Sequence, residues 1–351
     1  MAESEVELDV ALLAGFDFAC RPGCGLCCYA EPRVEPEERR RLVRILPEIE
    51  FVERGGDRFL ASFGNGGACR LLRENRCRVH DARPHPCREF PLTAHVGERL
   101  QASVVLSCPG VDLAGLGRTG TGRASSEGVG FVEELGALRE RVDSAARARV
   151  EAARRRRRKV ARALAADGRW EEEGAVRERL GRALPMPTPR DFPVEDPPTV
   201  EQGLDRLPLF FDGRAAPVAL AGALGGWQLL ELRPAGGSGA ELGILPPPER
   251  PPALEPAAAE LLTSYLRYWL RRDALFAIVH LEMLRSDDRE TVGTWVEAEL
   301  RRIGALVTAR ADVRARLHRG VVDRLSAADV ANGIRATDQD LLDRDGWGDR
   351  L

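Results

Sequence analysis

The sequence predicts an α+β protein, in which a small, loop-rich cysteine-cluster domain precedes a long basic helix and a mostly helical C-terminal region with a few strands. Three observations predict this class. All eight cysteines lie before residue 109, residues 131–167 are rich in strong helix formers, and apolar residues recur at helical spacing over 257–285. The content of 44% hydrophobic and 30% charged residues is that of a soluble globular protein.

The first segment consists of short elements separated by turns. Residues 36–47 are predicted to form a helix. Alternating patterns and Gly-rich turns predict two hairpins, one from residues 50–54 and 58–63 and one from residues 92–95 and 100–106, with short strand-like pieces at 68–72 and 77–80. A small unit with this many loops is of the kind that metal crosslinks stabilise. We therefore assign residues 1–125 to a cysteine-cluster domain.

Residues 126–184 form the second predicted segment, a long basic helix with a shorter helix after it. Residues 137–169 carry a net charge of +8 and include six consecutive cations at 154–159. Six successive residues cover every face of a helix, so most of these side chains must be solvated. An exposed helix face is one interpretation, and a docking site for an acidic protein partner is the other. Nucleic acid is disfavoured because no aromatic residues interleave with the cations.

The third segment begins after a proline-rich stretch. Residues 185–198 contain six prolines and predict a stiff linker between domains. The remaining residues, 199–351, are predicted to be mostly helical with a short β segment. Strands are expected at 217–220, 227–232 and 241–245, helices at 257–285, 291–310 and 311–325, and an acidic surface segment at 338–349.

Composition and motifs exclude several classes of function. The net charge of −3 is too small for the electrostatic field of the whole chain to favour a partner of one charge. Lys159 is the single lysine and lies in an arginine run, which argues against Schiff-base catalysis. The H-E-x-x-H, G-x-S-x-G and G-x4-G-K-[ST] motifs do not occur. His280 and His318 each lie alone on predicted helices and are interpreted as ordinary core or surface residues.

The chain is expected to be cytoplasmic. Its N-terminus lacks the apolar segment of a secretory signal, and its longest uncharged stretch, residues 215–230, is shorter than the roughly 20 residues that span a bilayer. Cytosolic thiols stay reduced, and clustered cysteines there bind metal more often than they form disulfides. The sequence therefore predicts a metal site and no membrane span.

The metal ligands are predicted to be the eight cysteines. They are Cys20, Cys24, Cys27, Cys28, Cys69, Cys77, Cys87 and Cys108. Adjacent Cys27 and Cys28 point in different directions, so this pair is expected to serve two centres or to bridge them. Eight thiolates could complete two four-cysteine sites, or one cluster plus a structural ion. A set of buried free thiols or a disulfide framework is the alternative.

Several spacings agree with one known family. The chain reads Cys20-x3-Cys24-Gly25-x-Cys27-Cys28, then Cys69-x-Leu71-Leu72, then Cys77-x-Val79-His80-x2-Arg83-Pro84-x2-Cys87-Arg88-x-Phe90-Pro91. Residues 16–110 resemble the YkgJ-type zinc- or iron-chelating domain, a family that also includes a domain similar to part of bacterial flagellin lysine N-methylases. One departure is His80, where many relatives have tyrosine.

The resemblance implies a metal cofactor, either an iron–sulfur cluster, most simply [4Fe–4S], or zinc. Closely spaced thiolates with distal ligands favour iron–sulfur. Methyl transfer to a protein lysine, with S-adenosylmethionine as cosubstrate, is the activity that the resemblance implies. The alternative activity for such a cluster is that of a redox enzyme. His80, Arg83 and Arg88 are predicted to bind the cofactor by hydrogen bonds to sulfur or to an anionic ligand. The two arginines could equally pair with Asp81 and Glu89.

Two alternatives remain. Cys20-x3-Cys24-x2-Cys27 has the spacing of a radical S-adenosylmethionine cluster, but that fold needs repeating strand–helix units, which do not follow here. In the other alternative, the metal is structural zinc, and the protein is a binding module whose basic helix docks an acidic partner. No catalytic residue is assigned from the sequence.

Overall fold

The computed structural model describes residues 7–21, 24, 26–29, 32–54, 56–62, 69–74, 76–96, 100–118, 131–188, 216–221, 227–234, 240–244, 252–320 and 322–342. The chain divides into two compact units. The first, which we call the cysteine unit, ends at Ala152, and the second, the helical unit, begins at Ala153. Helices and several small sheets occur together, so the predicted α+β class is confirmed.

The cysteine unit is built from short strands and helices. Its elements are β1 Leu8–Asp9, α1 Pro36–Ile45, β2 Phe51–Arg54, β3 Asp57–Leu60, β4 Leu72–Arg73, β5 Arg76–Cys77, α2 His85–Glu89, β6 Leu92–Val96, β7 Leu100–Val104, α3 Gly115–Arg118 and the first part of α4, Val132–Ala166. Strand β7 pairs in parallel with β1 and antiparallel with β6. Strands β2–β3 and β4–β5 form two hairpins. The predicted first helix and the two predicted hairpins, β2–β3 and β6–β7, are confirmed, and the strand-like pieces expected at 68–72 and 77–80 are the shorter strands β4 and β5.

Helix α1 begins where its sequence provides a cap. Glu35 caps the helix and exchanges hydrogen bonds with Glu38, and Pro36 occupies the first helical turn, where its missing N–H removes no hydrogen bond. Leu42, on the inner face, is fully buried. It contributes to a core that also contains Val34, Ile49, Leu60, Cys69, Leu71, Val79 and Ala82, with Cys28 and Cys77 packed against it. The core of this unit therefore lies directly beside the cysteines.

The helical unit contains the rest of α4 and the following elements. They are α5 Glu173–Arg182, β8 Ala216–Ala221, β9 Trp227–Pro234, β10 Ala240–Ile244, β11 Ala253–Leu254, α6 Pro256–Arg271, α7 Asp273–Arg285, α8 Val292–Arg319, β12 Arg324–Leu325 and α9 Ala327–Leu342. The three strands predicted at 217–220, 227–232 and 241–245 are present as β8, β9 and β10, with β9 between the other two in an antiparallel sheet, and β11 pairs in parallel with β12.

The helix boundaries of this unit differ from the prediction in three places. The expected helix over 257–285 is interrupted at Arg272, whose extended backbone ends α6. The two helices expected over 291–325 are one helix, α8, followed by Gly320 with φ 80° and then by β12. Helix α9 was not predicted, and its Asp338, which we expected on the surface, is fully buried.

A hydrogen-bonded network explains why Asp338 is buried. Its Oδ1 accepts bonds from the Tyr265 hydroxyl at 3.0 Å, from Trp269 Nε1 at 3.2 Å and from Arg272 at 2.8 Å. Arg272, also fully buried, donates a second bond to Oδ2 at 3.2 Å. A buried carboxylate is tolerated when an opposite charge and several donors surround it. This network connects α6 to α9.

The basic helix is confirmed as α4, and its cations differ in environment. Arg157 is largely buried and paired with Glu173, whereas Arg155, Arg158 and Lys159 are exposed. Of the expected linker, residues 185–188 form neither helix nor strand, and residues 189–198 lie outside the described residues. Among the helices that the structure describes, none is long and apolar enough to cross a membrane.

Candidate metal centre

All eight cysteines line one cavity of about 510 Å³ in the cysteine unit. Each is a free thiol. Cys20 and Cys24 are exposed, whereas Cys69 and Cys108 are buried. Apolar side chains form much of the remaining wall, and they include Phe18, Pro32, Leu60, Leu71, Leu72, Val79, Pro84 and Phe90. The fold thus brings together cysteines that are up to 88 residues apart in the sequence.

A backbone contact between two distant segments places Cys20 beside Cys108. Phe18 forms an antiparallel bridge with Val111, and the Ala19 N–H donates to the Gly110 carbonyl at 3.0 Å. A Cβ at Gly110 would lie 2.5 Å from the Ala19 carbonyl oxygen, so only glycine allows this approach. Cys20 and Cys108 therefore lie next to the same backbone contact, the pairing of residues 18–19 with residues 110–111.

A second set of contacts brings Cys28, Cys69 and Cys77 together. Cys27 and Cys28 lie on the short 3-10 helix Leu26–Tyr29. The Cys69 N–H donates to the Cys28 carbonyl at 2.6 Å. In the hairpin that follows, Cys77 lies opposite Leu72. Main-chain hydrogen bonds therefore bring these cysteines close together although they are far apart in the sequence, and these bonds do not depend on a bound metal.

Helix α1 positions the loop that carries Arg83 and the helix that carries Cys87. The buried Glu38 carboxylate accepts a hydrogen bond from the His85 N–H at 2.6 Å, at the start of α2. Arg41 donates to the carbonyl oxygens of Ala82 at 3.2 Å and Arg83 at 3.1 Å. These bonds hold α2 against α1 and direct Cys87 towards the cavity.

Hydrogen bonds between thiols set the protonation of three cysteines. Hydrogen bonding with the Cys28 thiol lowers the pKa of Cys27 to about 7 and that of Cys77 to about 6, with a smaller contribution from Arg83. The same bonds raise the pKa of Cys28 well above its ordinary value. Cys27 and Cys77 are therefore the thiols that most readily become thiolates, the form that binds metal.

Burial has the opposite effect on other cysteines. It raises the pKa of Cys108 to about 11 and raises those of Cys20, Cys69 and Cys87 as well, most strongly for Cys87. A low-dielectric surrounding disfavours the charged thiolate. A metal that binds here must displace these protons, so its affinity will depend on pH.

The three predicted cofactor-binding residues have different environments. His80 and Arg83 line the cavity, and Arg83 Nε donates to the His80 carbonyl at 2.8 Å. Among the described residues around the cavity, Arg88 is not part of the lining. Its guanidinium instead contacts His85 Nδ1 at 2.8 Å and Glu140 at 3.2 Å. His80 lies 3.3 Å from Asp81, the partner that we considered for Arg83.

Several cavity residues were not predicted. They are Phe18, Arg21, Arg76, Phe90, Glu133 and Glu134. Glu133 and Glu134 belong to the first turn of α4, and burial raises the pKa of the Glu134 carboxyl. The sequence carries no signal for Glu133 and Glu134, because only the tertiary structure brings them to the cavity. They belong to a helix whose role we inferred from its basic residues.

The donor set fits zinc or iron. Thiolates bind zinc and iron–sulfur clusters, and the cavity presents eight thiols with a cation, Arg83, that lowers the pKa of several of them. Within the described residues, however, no three His, Cys, Asp or Glu side chains are grouped as the ligands of one ion. The thiols therefore surround the cavity and do not converge on a single point.

Comparison with known families supports metal binding by this part of the chain. Residues 19–108 match the CxxCxxCC family, described as "Putative zinc- or iron-chelating domain". The match contains all eight cysteines and agrees with the resemblance seen in the motifs. Here three residues separate Cys20 from Cys24, where the pattern in the family's name has two. No curated protein and no solved structure matches the chain.

Proposed function

We propose that the chelating domain of residues 19–108 binds iron–sulfur in preference to zinc. The arrangement of eight thiols around one cavity carries this proposal. A zinc ion needs four ligands at about 2.3 Å, which requires a compact set of sulfurs. Because no three ligands are grouped in that way among the described residues, a larger group that spaces its thiolates apart suits the cavity better.

The walls of the cavity would protect such a group. Apolar residues, among them Leu60, Leu71 and Val79, limit access of water. Arg83 lies near the thiols and would offset their negative charge, and hydrogen bonds and charges of this kind tune the potential of a cluster. A reducing cytoplasm, the location that we propose, would keep the thiols available.

Purification under anaerobic conditions, followed by iron, zinc and acid-labile sulfide analysis, tests the metal. We expect a brown protein with broad visible absorption and with iron and sulfide together. Cys87→Ser should lower the iron content, whereas Arg73→Gln, at an exposed residue of β4 outside the cavity lining, should leave it close to the wild-type value. A colourless protein with zinc and no sulfide would contradict the iron–sulfur assignment.

For the reaction, we propose methyl transfer to a protein lysine, which follows from the resemblance to the flagellin methylases. When bound, a cluster with an iron that lacks a cysteine ligand supplies a position for S-adenosylmethionine. We expect addition of S-adenosylmethionine to the iron-loaded protein to change the visible spectrum. S-adenosylhomocysteine is the control for binding without methyl donation. An unchanged spectrum would leave a redox or electron-transfer role.

A second candidate is favoured by the exposed cations of α4. Arg155, Arg158 and Lys159 would form a docking surface for an acidic protein partner, with zinc as a structural metal. Changing these three residues to glutamine should weaken capture of an acidic polypeptide such as polyglutamate, and added salt should weaken it too. The metal content should not change. Binding that is insensitive to salt would contradict this role.

A further inference from the structure

The first turns of α4 have one buried, apolar side. Phe131, Leu135 and Leu138 recur at helical spacing and are 0%, 5% and 0% exposed, whereas Val132 is 76% exposed. The Leu135 N–H donates to the Phe131 carbonyl at 2.8 Å, so the helical pattern includes Phe131. This part of the helix therefore packs by an ordinary apolar stripe, which precedes the run of basic residues.

The start of this side contacts the segment that carries Cys20. The ring of Phe131 stacks on that of Phe18, with the centroids 5.4 Å apart and the planes at 7°. Phe18 in turn forms the bridge with Val111. Stacked aromatic rings stabilise a contact beyond the burial of their area. The start of α4 is thus joined to the two backbone segments that lie beside Cys20 and Cys108.

A second contact holds α4 further along its length. Arg88 follows Cys87 on α2, and its guanidinium lies 3.2 Å from the Glu140 carboxylate and 2.8 Å from His85 Nδ1. The Arg88 side chain is only 26% exposed, so it is largely held within this contact. Arg88 therefore connects the helix of Cys87 with α4, although it was predicted to bind the cofactor itself.

Between the two contacts, α4 forms part of the cavity wall. Glu133 and Glu134 line the cavity together with the eight cysteines, and Glu134 is half-buried. The family match ends at residue 108, so this wall lies outside the part of the chain that the family describes. The surroundings of a metal site control how solvent reaches it. The matched segment alone would leave the cavity without one of its sides.

We propose that residues 131–140 are a structural part of the metal centre, and that Arg88 is the positioning residue that holds them against the cavity. This rests on metal binding at the cavity, the part of the proposed function that iron–sulfur and zinc share. Arg88 acts through Glu140 and does not contact the metal. The wall that it holds slows the release of metal and the entry of competing ligands.

Charge reversal tests the role of Arg88. Arg88→Glu places two carboxylates against each other, and Arg88→Glu/Glu140→Arg restores an opposite pair. The matched control is Arg78→Glu, because Arg78 also follows a cysteine and pairs with a glutamate, Glu48, at 2.8 Å, and neither is among the described residues that line the cavity. Each full-length chain is reduced, loaded with Zn²⁺ and mixed with an excess of a chromophoric chelator, which reports the rate of metal release.

We expect Arg88→Glu to release Zn²⁺ about fivefold faster than the wild-type protein, and the double variant to recover to within about twofold, as for the exchange of one ion pair. Arg78→Glu should release Zn²⁺ at the wild-type rate. Equal rates in Arg88→Glu and Arg78→Glu would overturn the positioning role. Failure of the double variant to recover would overturn it too, since the effect would then not pass through Glu140.

Alkylation of the reduced, metal-free chain separates this proposal from the proposed function. Arg88→Glu should raise the rate at which a bulky maleimide modifies the buried Cys108 several-fold. Cys69, which is buried in the apolar core, should keep its wild-type rate. An unchanged rate at Cys108, or an equal rise at Cys69, would overturn the wall. A wild-type protein that binds neither Zn²⁺ nor iron would overturn the proposed function, whatever the alkylation rates.

Discussion

At the scale of single residues, Gly110 determines how closely the segment of Cys20 approaches that of Cys108. We predict that Gly110→Ala will separate the two segments, because the new Cβ would lie 2.5 Å from the Ala19 carbonyl oxygen. Such overpacking costs about 1–3 kcal/mol. Metal affinity should fall, as measured by competition with a chelator. Gly117→Ala, with nothing within 4 Å of its Cβ, is the control, and equal affinities for both variants would contradict this prediction.

A second residue-scale prediction concerns the thiol of Cys28. In the metal-free protein, its hydrogen bonds are the main reason why the pKa of Cys27 is about 7 and that of Cys77 about 6. Cys28→Ala should raise both pKa values towards 9, so both thiols will be mostly protonated at pH 7.5 and react more slowly with iodoacetamide. Cys28→Ser keeps a donor and should preserve part of the effect.

The measurement is the pH dependence of alkylation at each cysteine, followed by mass spectrometry. In the wild-type protein the midpoints should lie below those of Cys69 and Cys108, whose pKa values burial raises. Midpoints that stay the same in Cys28→Ala would show that Arg83, and not the thiol network, sets the protonation of the two residues.

At the scale of secondary-structure elements, the contact of α8 with α9 leaves no space for a side chain at Gly333. A Cβ there would overlap the Val307 carbonyl oxygen and lie 3.0 Å from the Ala311 Cβ. We expect Gly333→Ala to lower the free energy of unfolding of the helical unit by about 1–3 kcal/mol, measured by denaturant titration. Gly181→Ala on α5 has nothing within 4 Å and should be neutral or stabilising, by up to about 1 kcal/mol.

A pH effect is expected where α5 meets α7. His280 is buried, its ring is tilted by 36° against that of Trp170 with the centroids 5.1 Å apart, and its Nε2 lies 4.0 Å from the Glu173 carboxylate. Burial, with a contribution from Arg157, lowers its pKa to about 3. Above pH 6.5 the imidazole is neutral in both the folded and unfolded states, and its contribution to stability is fully present. As the pH falls below 6.5, the unfolded state takes up a proton that the folded state excludes, so stability decreases.

We predict that this loss reaches about 2 kcal/mol at pH 5, since each pKa unit corresponds to about 1.4 kcal/mol. His280→Gln cannot titrate and should remove the loss, so its unfolding free energy should change less between pH 7 and pH 5. His318→Gln, at an exposed position, is the matched control. The prediction is wrong if both variants keep the wild-type pH dependence.

The elements also show what the sequence could and could not predict. The hairpins and α1 were predictable, because alternating patterns, Gly-rich turns and a capped, proline-led helix start are local signals. The eight cysteines of the cavity could be identified as candidate ligands by residue type alone. Helix α9 was not, because Asp338 looks like a surface residue until the buried Arg272 is placed beside it. Glu133 and Glu134 were missed for the same reason, since only tertiary structure brings them to the cavity.

At the scale of the whole molecule, the two units should respond differently to metal. All the cysteines belong to the cysteine unit, whereas the helical unit is held by apolar helices and the Arg272–Asp338 network. A ligand that binds only the folded state stabilises it by about 4 kcal/mol at 1,000 times its Kd. We predict two transitions in calorimetry, of which a chelator under reducing conditions lowers only one. Equal shifts of both would contradict independent stability.

The pairing of Arg272 with Asp338 also has a consequence for the time course of synthesis. The two residues are 66 positions apart, which at about 5–20 residues per second corresponds to roughly 3 to 13 seconds on the ribosome. During that interval Arg272, at the end of α6, lacks the Asp338 carboxylate that neutralises it in the folded protein. The core of the helical unit therefore cannot form completely until Asp338 has been added. The last cysteine is translated well before this. The nascent chain can therefore acquire its metal before the C-terminal half of the protein is able to complete its folding.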